Sequence, residues 1–243
     1  MEILGCRLDP IDADAATDAI FGFVREKKGA QVVTLGTEMV VYAQRDERFR
    51  NAVNACPLSL CDTVGLLTVA RKRGATLRER VTGVELIEHL CARAASVGTS
   101  VYLFGAAEGV AAEAAVALQT RYPGLVVAGT RSGFFRPEES ASIADAIRAS
   151  GAGLLFVGLG SPRQEFWLSD HLAATGAGAG IGIGGSFDVI AGRVVRAPEL
   201  WRHLNLEWLY RLVKEPQRWR RQLALPRFVW LVARDRQSKR GVS

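Results

Sequence analysis

Two segments of the 243-residue chain set glycines beside polar side chains in a pattern suited to binding an anion: Phe156-Val-Gly-Leu-Gly-Ser-Pro-Arg-Gln-Glu165 and Ala179-Gly-Ile-Gly-Ile-Gly-Gly-Ser-Phe-Asp188. Each is an apolar run that ends in a glycine turn. Ser161, Arg163, Gln164 and Glu165 follow the first turn, and Ser186 and Asp188 follow the second. Glycine lets backbone N–H groups approach an anion closely, and a helix starting at Ser161-Pro162 would point its positive end at the same place. The pair suits a crevice for a phosphorylated ligand.

Among the titratable residues, Asp62 is the best placed to act as a general base. It stands alone after the apolar run Pro57–Cys61, where partial burial would raise its pKa while leaving it in reach of a crevice. The competing role is a helix cap for the segment that begins at Thr63. Glu38 fits the first turn of a helix capped by Thr37, and Asp188 fits either recognition of a nucleoside or a cap before Val189. Arg80 and Thr82 lie in Arg78-Glu-Arg-Val-Thr-Gly83, where an arginine can hold a diphosphate or remain a solvated loop charge. Arg163 in the first turn of a helix is unfavourable without an anion nearby. Asp12-Ala-Asp14 spells a D-x-D, but it precedes a helical pattern and reads as cap and first-turn charge. His89, His171 and His203 form no ligand set, so no metal site is expected. No lysine follows a glycine loop in the Walker manner and no strict G-x-G-x-x-G opens a helix, which counts against nucleotide hydrolysis and dinucleotide redox chemistry.

The elements that must position these residues alternate. Strands are expected at Ala30–Leu35, Pro57–Cys61, Ser100–Phe104, Leu125–Gly129, Gly153–Val157 and Ala179–Ile183. Helices are expected near Asp14–Lys27, Thr37–Asn51, Gly65–Lys72, Val84–Ser96, Gly109–Tyr122, Glu138–Ser150 and Pro162–Ala174. The fold class is α/β, a Rossmann-like, mainly parallel sheet with helices on both faces. In such a sheet the carboxyl ends of the strands share one edge, so Thr34, Asp62, Gly105, Gly158 and Gly184 would face a common crevice.

Composition bounds the class. Nearly half the residues are hydrophobic, enough for a sizeable core. Cys6, Cys56, Cys61 and Cys91 have no C-x-x-C spacing and read as reduced core thiols. No apolar run is long enough to span a bilayer, and the first residues do not resemble a signal peptide, so a cytoplasmic location is expected. The net charge of +6 is unevenly spread: from Arg193 onward there are 13 Lys+Arg against 4 Asp+Glu, leaving 18 against 21 before it. Four of the five tryptophans, Trp201, Trp208, Trp219 and Trp230, also lie there. The organisation expected is an α/β domain over 1–192 and a basic, Trp/Arg-rich helical appendage over 193–243 that faces a membrane. Within the appendage Pro226 is expected to limit a helix, with a frayed end after Arg234. Arginine mixed with interfacial aromatics suits anionic head groups, less well a nucleic-acid backbone, or simply a packed helix pair with solvated charges. On these grounds several readings stay open: an enzyme acting on a phosphorylated ligand, a Rossmann-type nucleotide-binding oxidoreductase, and a non-catalytic membrane or nucleic-acid binding protein.

A series of motifs in order along the chain resembles the WecG/TagA/CpsF-type bacterial glycosyltransferases. The matching elements are Thr34-Leu-Gly-Thr-Glu-Met39, Cys61-Asp-Thr-Val-Gly65, Arg80-Val-Thr-Gly83, Phe104-Gly105, Gly158-Leu-Gly-Ser-Pro-Arg-Gln-Glu165, Gly184-Gly-Ser-Phe-Asp-Val-Ile-Ala-Gly192, Arg196-Ala-Pro198 and Leu206-Glu-Trp-Leu-Tyr-Arg-Leu212. The resemblance implies an inverting, probe-able reaction: a sugar, N-acetylmannosamine or a related hexose, passes from a UDP-sugar to a lipid diphosphate-linked acceptor sugar in cell-surface polysaccharide or teichoic acid synthesis. It implies Asp62 as the base, Thr34, Arg80 and Gln164 along donor and acceptor, and Gly184, Gly185 and Asp188 toward the nucleotide. It also implies that Arg211, Arg218 and Arg221 neutralise the departing UDP, so that no metal cofactor is needed. The expected partners are the UDP-sugar, the lipid-linked acceptor and an anionic membrane on whose inner face the protein sits peripherally. Nucleic acid is not expected, and a homo-oligomer is left open. One departure from the resemblance is Gly36, where the family commonly has Asn, which implies a different sugar specificity.

Overall fold

The computed structural model describes residues 1–194 and 223–240, with Pro198, Trp201, Leu209 and Tyr210, and of 236–240 the backbone alone. A short antiparallel hairpin, β1 (Glu2–Ile3) and β2 (Cys6–Arg7), opens the chain. Helix α1 (Ala13–Arg25) follows, and then six strands: β3 (Ala30–Leu35), β4 (Leu58–Cys61), β5 (Val101–Gly105), β6 (Val127–Arg131), β7 (Leu154–Gly158) and β8 (Ala179–Gly182). They form one sheet in the order β4-β3-β8-β7-β5-β6, parallel throughout. All six expected strands are present, with ends shifted by at most two residues.

The intervening helices are α2 (Thr37–Ala43), α3 (Glu47–Ala55), α4 (Val64–Lys72), α5 (Gly83–Val97), α6 (Val110–Arg121), α7 (Ser140–Ser150), α8 (Arg163–Thr175) and α9 (Ser186–Ile190). The single helix expected over Thr37–Asn51 is two. Asp46 breaks it by capping α3, its carboxylate accepting the Phe49 N–H at 2.8 Å. Successive strand residues point to opposite faces, so Val32, Leu103, Phe156 and Ile181 pack with α1, α5, α6 and α9. On the other face Val33 and Leu35 join a cluster with α2, α3 and α4, and Phe104, Leu155 and Val157 pack under α7 and α8. The sheet is therefore covered on both sides, as its continuous apolar strands require.

The last described helix, α10 (Ala224–Arg240), starts just before Pro226 and runs past Arg234. The helix expected to be limited by Pro226 lies almost wholly outside the described residues, whereas the end expected to fray after Arg234 is helical to Arg240. A proline in the first turn costs no hydrogen bond, and the helix continues because it is docked. Phe228 and Val232 are buried in the cluster of α2 and α4, and Arg73 on α4 pairs with Asp235 at 2.7 Å. The opposite side of α10 leaves Leu223, Val229 and Trp230 exposed. Among the described residues no helix is long and apolar enough to cross a membrane.

Candidate functional site

Strand β4 delivers Asp62 to the carboxyl edge of the sheet, where its N–H donates to Leu35 of β3 at 3.0 Å. Its side chain does not cap the helix that follows: the cap position of α4 is Thr63. Instead Oδ1 of Asp62 accepts the N–H of Gly83, the first residue of α5, at 3.3 Å. A helix amide therefore orients the carboxylate. Gly83 in turn abuts the second glycine segment. A methyl group there would meet Oγ of Ser186 at 3.0 Å and the carbonyl of Ile183 at 3.1 Å. Asp62 and the turn at Gly184 are thus joined through one residue, on the strands β4, β3 and β8 that adjoin in the sheet.

The floor between them is made of strand ends. Thr34, buried on β3, donates its hydroxyl to the Gly182 carbonyl of β8 at 3.0 Å. Gly158 at the end of β7 has no space for a side chain, since a methyl would meet the Phe187 ring at 2.9 Å and the Gly184 carbonyl at 3.0 Å. Gly184 itself has φ +56°, a left-handed conformation that glycine adopts without strain. Its N–H donates to Oε1 of Gln164 at 3.0 Å, and Nε2 of Gln164 donates to Oε1 of Glu165 at 2.8 Å. Both α8 side chains are buried, Glu165 at 1% exposure. Burial pushes the Glu165 carboxyl above its usual range, against the opposing hydrogen bonds from Gln164 and Ser161 and with a smaller upward push from Glu38. Its Oε2 has no hydrogen-bond partner among the described residues. A neutral carboxylic acid satisfies this setting better than an anion would.

The remaining side chains divide between site and scaffold. Arg80 lies on the loop into α5, half-buried beside β4, where the N–H of Val81 meets the carbonyl of Cys61 at 2.7 Å. Asp188 lies half-buried in the first turn of α9, with Gly185 at the cap position. Thr34, Asp62, Arg80, Gln164, Gly184, Gly185 and Asp188 therefore gather at the carboxyl edge or in the loops that leave it. Arg211, Arg218 and Arg221 lie outside the described residues. Thr82 is a cap, accepting the Glu85 N–H at 3.3 Å and donating to the Glu85 carboxylate at 2.8 Å. Arg163 sits over the Phe135 ring, 5.7 Å from its centroid, and approaches the Gly133 carbonyl at 3.5 Å, which accounts for its position without an anion. The helix expected from Ser161 begins at Arg163, after a cis Ser161-Pro162 peptide. Asp12 caps α1, and Asp14 lies 3.4 Å from His89. Glu38 is exposed in the first turn of α2.

Two features escaped sequence reasoning. Thr37 does not cap α2: Gly36 holds that position with no side-chain bond, and the Thr63 hydroxyl accepts the Thr37 N–H at 3.2 Å. The partner comes from another strand end, which no local spacing reveals. The Glu165–Gln164–Gly184 chain is likewise long-range, although a Gln-Glu pair just inside an apolar helix was a visible signal.

The model of the glycosyl transferase WecG/TagA/CpsF family matches residues 1–241. An N-acetylglucosaminyldiphosphoundecaprenol N-acetyl-beta-D-mannosaminyltransferase from Bacillus spizizenii is 34% identical over 210 residues, which cover 86% of this chain and 81% of that protein.

Proposed function

The chain belongs to the glycosyl transferase WecG/TagA/CpsF family, and from that premise we propose that it transfers N-acetylmannosamine, or a related hexose, from a UDP-sugar to a sugar carried on a lipid diphosphate. Asp62 takes the proton of the acceptor hydroxyl as that oxygen bonds to the anomeric carbon. The bond from that carbon to the diphosphate oxygen breaks on the opposite face, and UDP leaves with inversion at the sugar. The observation that carries this reading is the Asp62–Gly83 hydrogen bond, with Gly83 packed on Ile183 and Ser186: it brings a fixed carboxylate beside a glycine turn able to approach a nucleotide diphosphate.

Thr34, Arg80 and Gln164 would line the donor and acceptor, with Gly184, Gly185 and Asp188 toward the nucleotide. Arg211, Arg218 and Arg221 would neutralise the leaving diphosphate, a task that positioned arginines perform without a divalent ion. Retained turnover in excess EDTA is expected, and abolition that Mg²⁺ restores would overturn the metal-independent form. Leu223, Val229 and Trp230 on the outer side of α10, with Arg234 over the Trp230 ring at 5.4 Å, support peripheral binding to an anionic membrane surface.

The deciding experiment incubates the full chain with a panel of UDP-sugars and a short-chain lipid diphosphate-linked N-acetylglucosamine. Mass spectrometry then detects the product and NMR reads its anomeric configuration. Release of UDP with an inverted disaccharide is expected. No product from any donor, together with tight binding of NADH and none of UDP, would replace this reading with an oxidoreductase.

A further inference from the structure

A cavity of about 410 Å³ lies between α2, the Ser161-Pro162 turn and the beginning of α10, within the usual size range of small-molecule sites. Arg45, in the turn after α2, and Arg227 of α10 both line it, as does Glu38. Neither arginine makes an ion pair with another described residue; Arg45 only flanks the Tyr42 ring, 5.9 Å from its centroid. Tyr42 gives its hydroxyl hydrogen to Asp46 at 3.0 Å. Two arginines from separate segments thus line one space in which, among the described residues, Glu38 is the single carboxylate. Like charges brought together in this way favour an anion between them.

Apart from Tyr42 and Ser161 the rest of the described lining is apolar, with Met39, Pro162 and Leu223 among it. Leu223, in the turn before α10, is exposed, as are Val229 and Trp230 of that helix. The other end lies close to the reaction centre. Glu38 is adjacent to Thr37, whose N–H is held by Thr63, the neighbour of Asp62. An anion-binding pair, an apolar wall and a path from the catalytic edge to an exposed apolar surface describe a ligand that is charged in the middle and greasy at one end.

We infer that this cavity seats the diphosphate and first isoprenoid units of the lipid-linked acceptor, with Arg45 and Arg227 as its clamp. The inference rests on the acceptor class proposed above and adds the place and residues that hold it. A free nucleotide diphosphate would gain nothing from the apolar wall, and a neutral lipid nothing from the arginines. The two guanidiniums set the diphosphate between the sugar to be glycosylated, toward Asp62, and the lipid tail, toward α10.

Calorimetric titration of the full chain with farnesyl diphosphate tests this, with farnesol, inorganic diphosphate and UDP as separate arms. Farnesyl diphosphate is expected to bind saturably and more tightly than either farnesol or inorganic diphosphate. Arg45→Ala and Arg227→Ala should each weaken it about ten-fold, the loss typical of one charge-assisted contact. Ala224→Trp, which fills the cavity, should weaken it similarly, while all three variants keep the wild-type affinity for UDP. In turnover, the arginine variants should raise KM for the lipid acceptor and leave KM for the UDP-sugar unchanged. Unaltered farnesyl diphosphate binding in the Arg45→Ala/Arg227→Ala double variant, or its full displacement by UDP, would overturn the assignment. If these arms hold and no UDP-sugar is ever turned over, the transfer reaction falls and the seat stands; normal transfer with insensitive binding sinks the seat alone.

Discussion

Glu165 accepts a hydrogen bond from Gln164 at 2.8 Å, so a buried carboxyl fixes the amide whose oxygen receives the Gly184 N–H. Gln164 is therefore committed to holding the glycine turn in place, and Glu165 to holding Gln164. Glu165→Gln should keep the shape and most of the activity. Glu165→Ala should lose affinity for UDP, because a void beside Gln164 frees its amide.

The same carboxyl gives a pH signature. Its pKa is raised in the folded chain, so it stays protonated there after the unfolded chain has begun to ionise. The stability this contributes is complete below the ordinary glutamate pKa and is lost as pH rises toward the folded value. Urea unfolding of wild type and Glu165→Gln from pH 4 to pH 8 should show the variant gaining relative stability with rising pH. A constant difference would mean that Glu165 is charged in the fold.

Asp62→Asn keeps an oxygen to accept the Gly83 N–H but removes the basic group. We expect kcat to fall by about 10²–10⁴, the usual worth of a positioned base, with UDP affinity and the thermal midpoint little changed. Near-normal turnover by this variant would exclude Asp62 as the base.

Gly36 is not required by its backbone: φ is −105°, and a methyl there would meet Thr63 Cγ2 at an ordinary 3.5 Å. Gly36→Asn should fold normally and stabilise the chain by a few tenths of a kcal/mol as an N-cap of α2. Because the position adjoins Asp62, the substitution should also change the ranking of UDP-sugars or acceptors. An identical ranking would show that this cap position takes no part in sugar choice.

Phe228 is 2% exposed in the cluster formed by α2 and α4. Phe228→Ala should cost about 3–5 kcal/mol, the range for emptying a buried aromatic site. Removal of residues 193–243 should lower the thermal midpoint as well as the activity, since it takes Phe228 and Val232 out of the cluster they share with α2 and α4. A truncated chain as stable as the whole would show that α10 contributes nothing to the core.

The sheet was readable because its strands are buried on both faces and stand out as apolar runs between helical periods; Ala30–Leu35 was placed to the residue. The shared edge followed from parallel connectivity, and with it the company of Thr34, Asp62 and Gly184. Roles that depend on contacts between distant segments were not readable. Arg163 looked like an anion ligand from its place in a first turn, yet Phe135 and Gly133 occupy it. Asp62 had a helix cap at Thr63 as the competing role to a base, and its carboxylate instead meets the first amide of another helix, 21 residues on. In α10 the polar run after Arg234 carries the local signal of a frayed end, while the burial of Phe228 and Val232 docks a helix that extends to Arg240.

Main chain forms much of the bed beneath the candidate ligand, because β7 and β8 both finish in glycine. Such a surface offers the same donors however the neighbouring sequence drifts, and neither Gly158 nor Gly182 can gain a side chain without displacing Phe187 or Gln164. A change of specificity is thereby left to the flanking walls, at positions such as Gly36, where a new side chain fits without disturbing the bed.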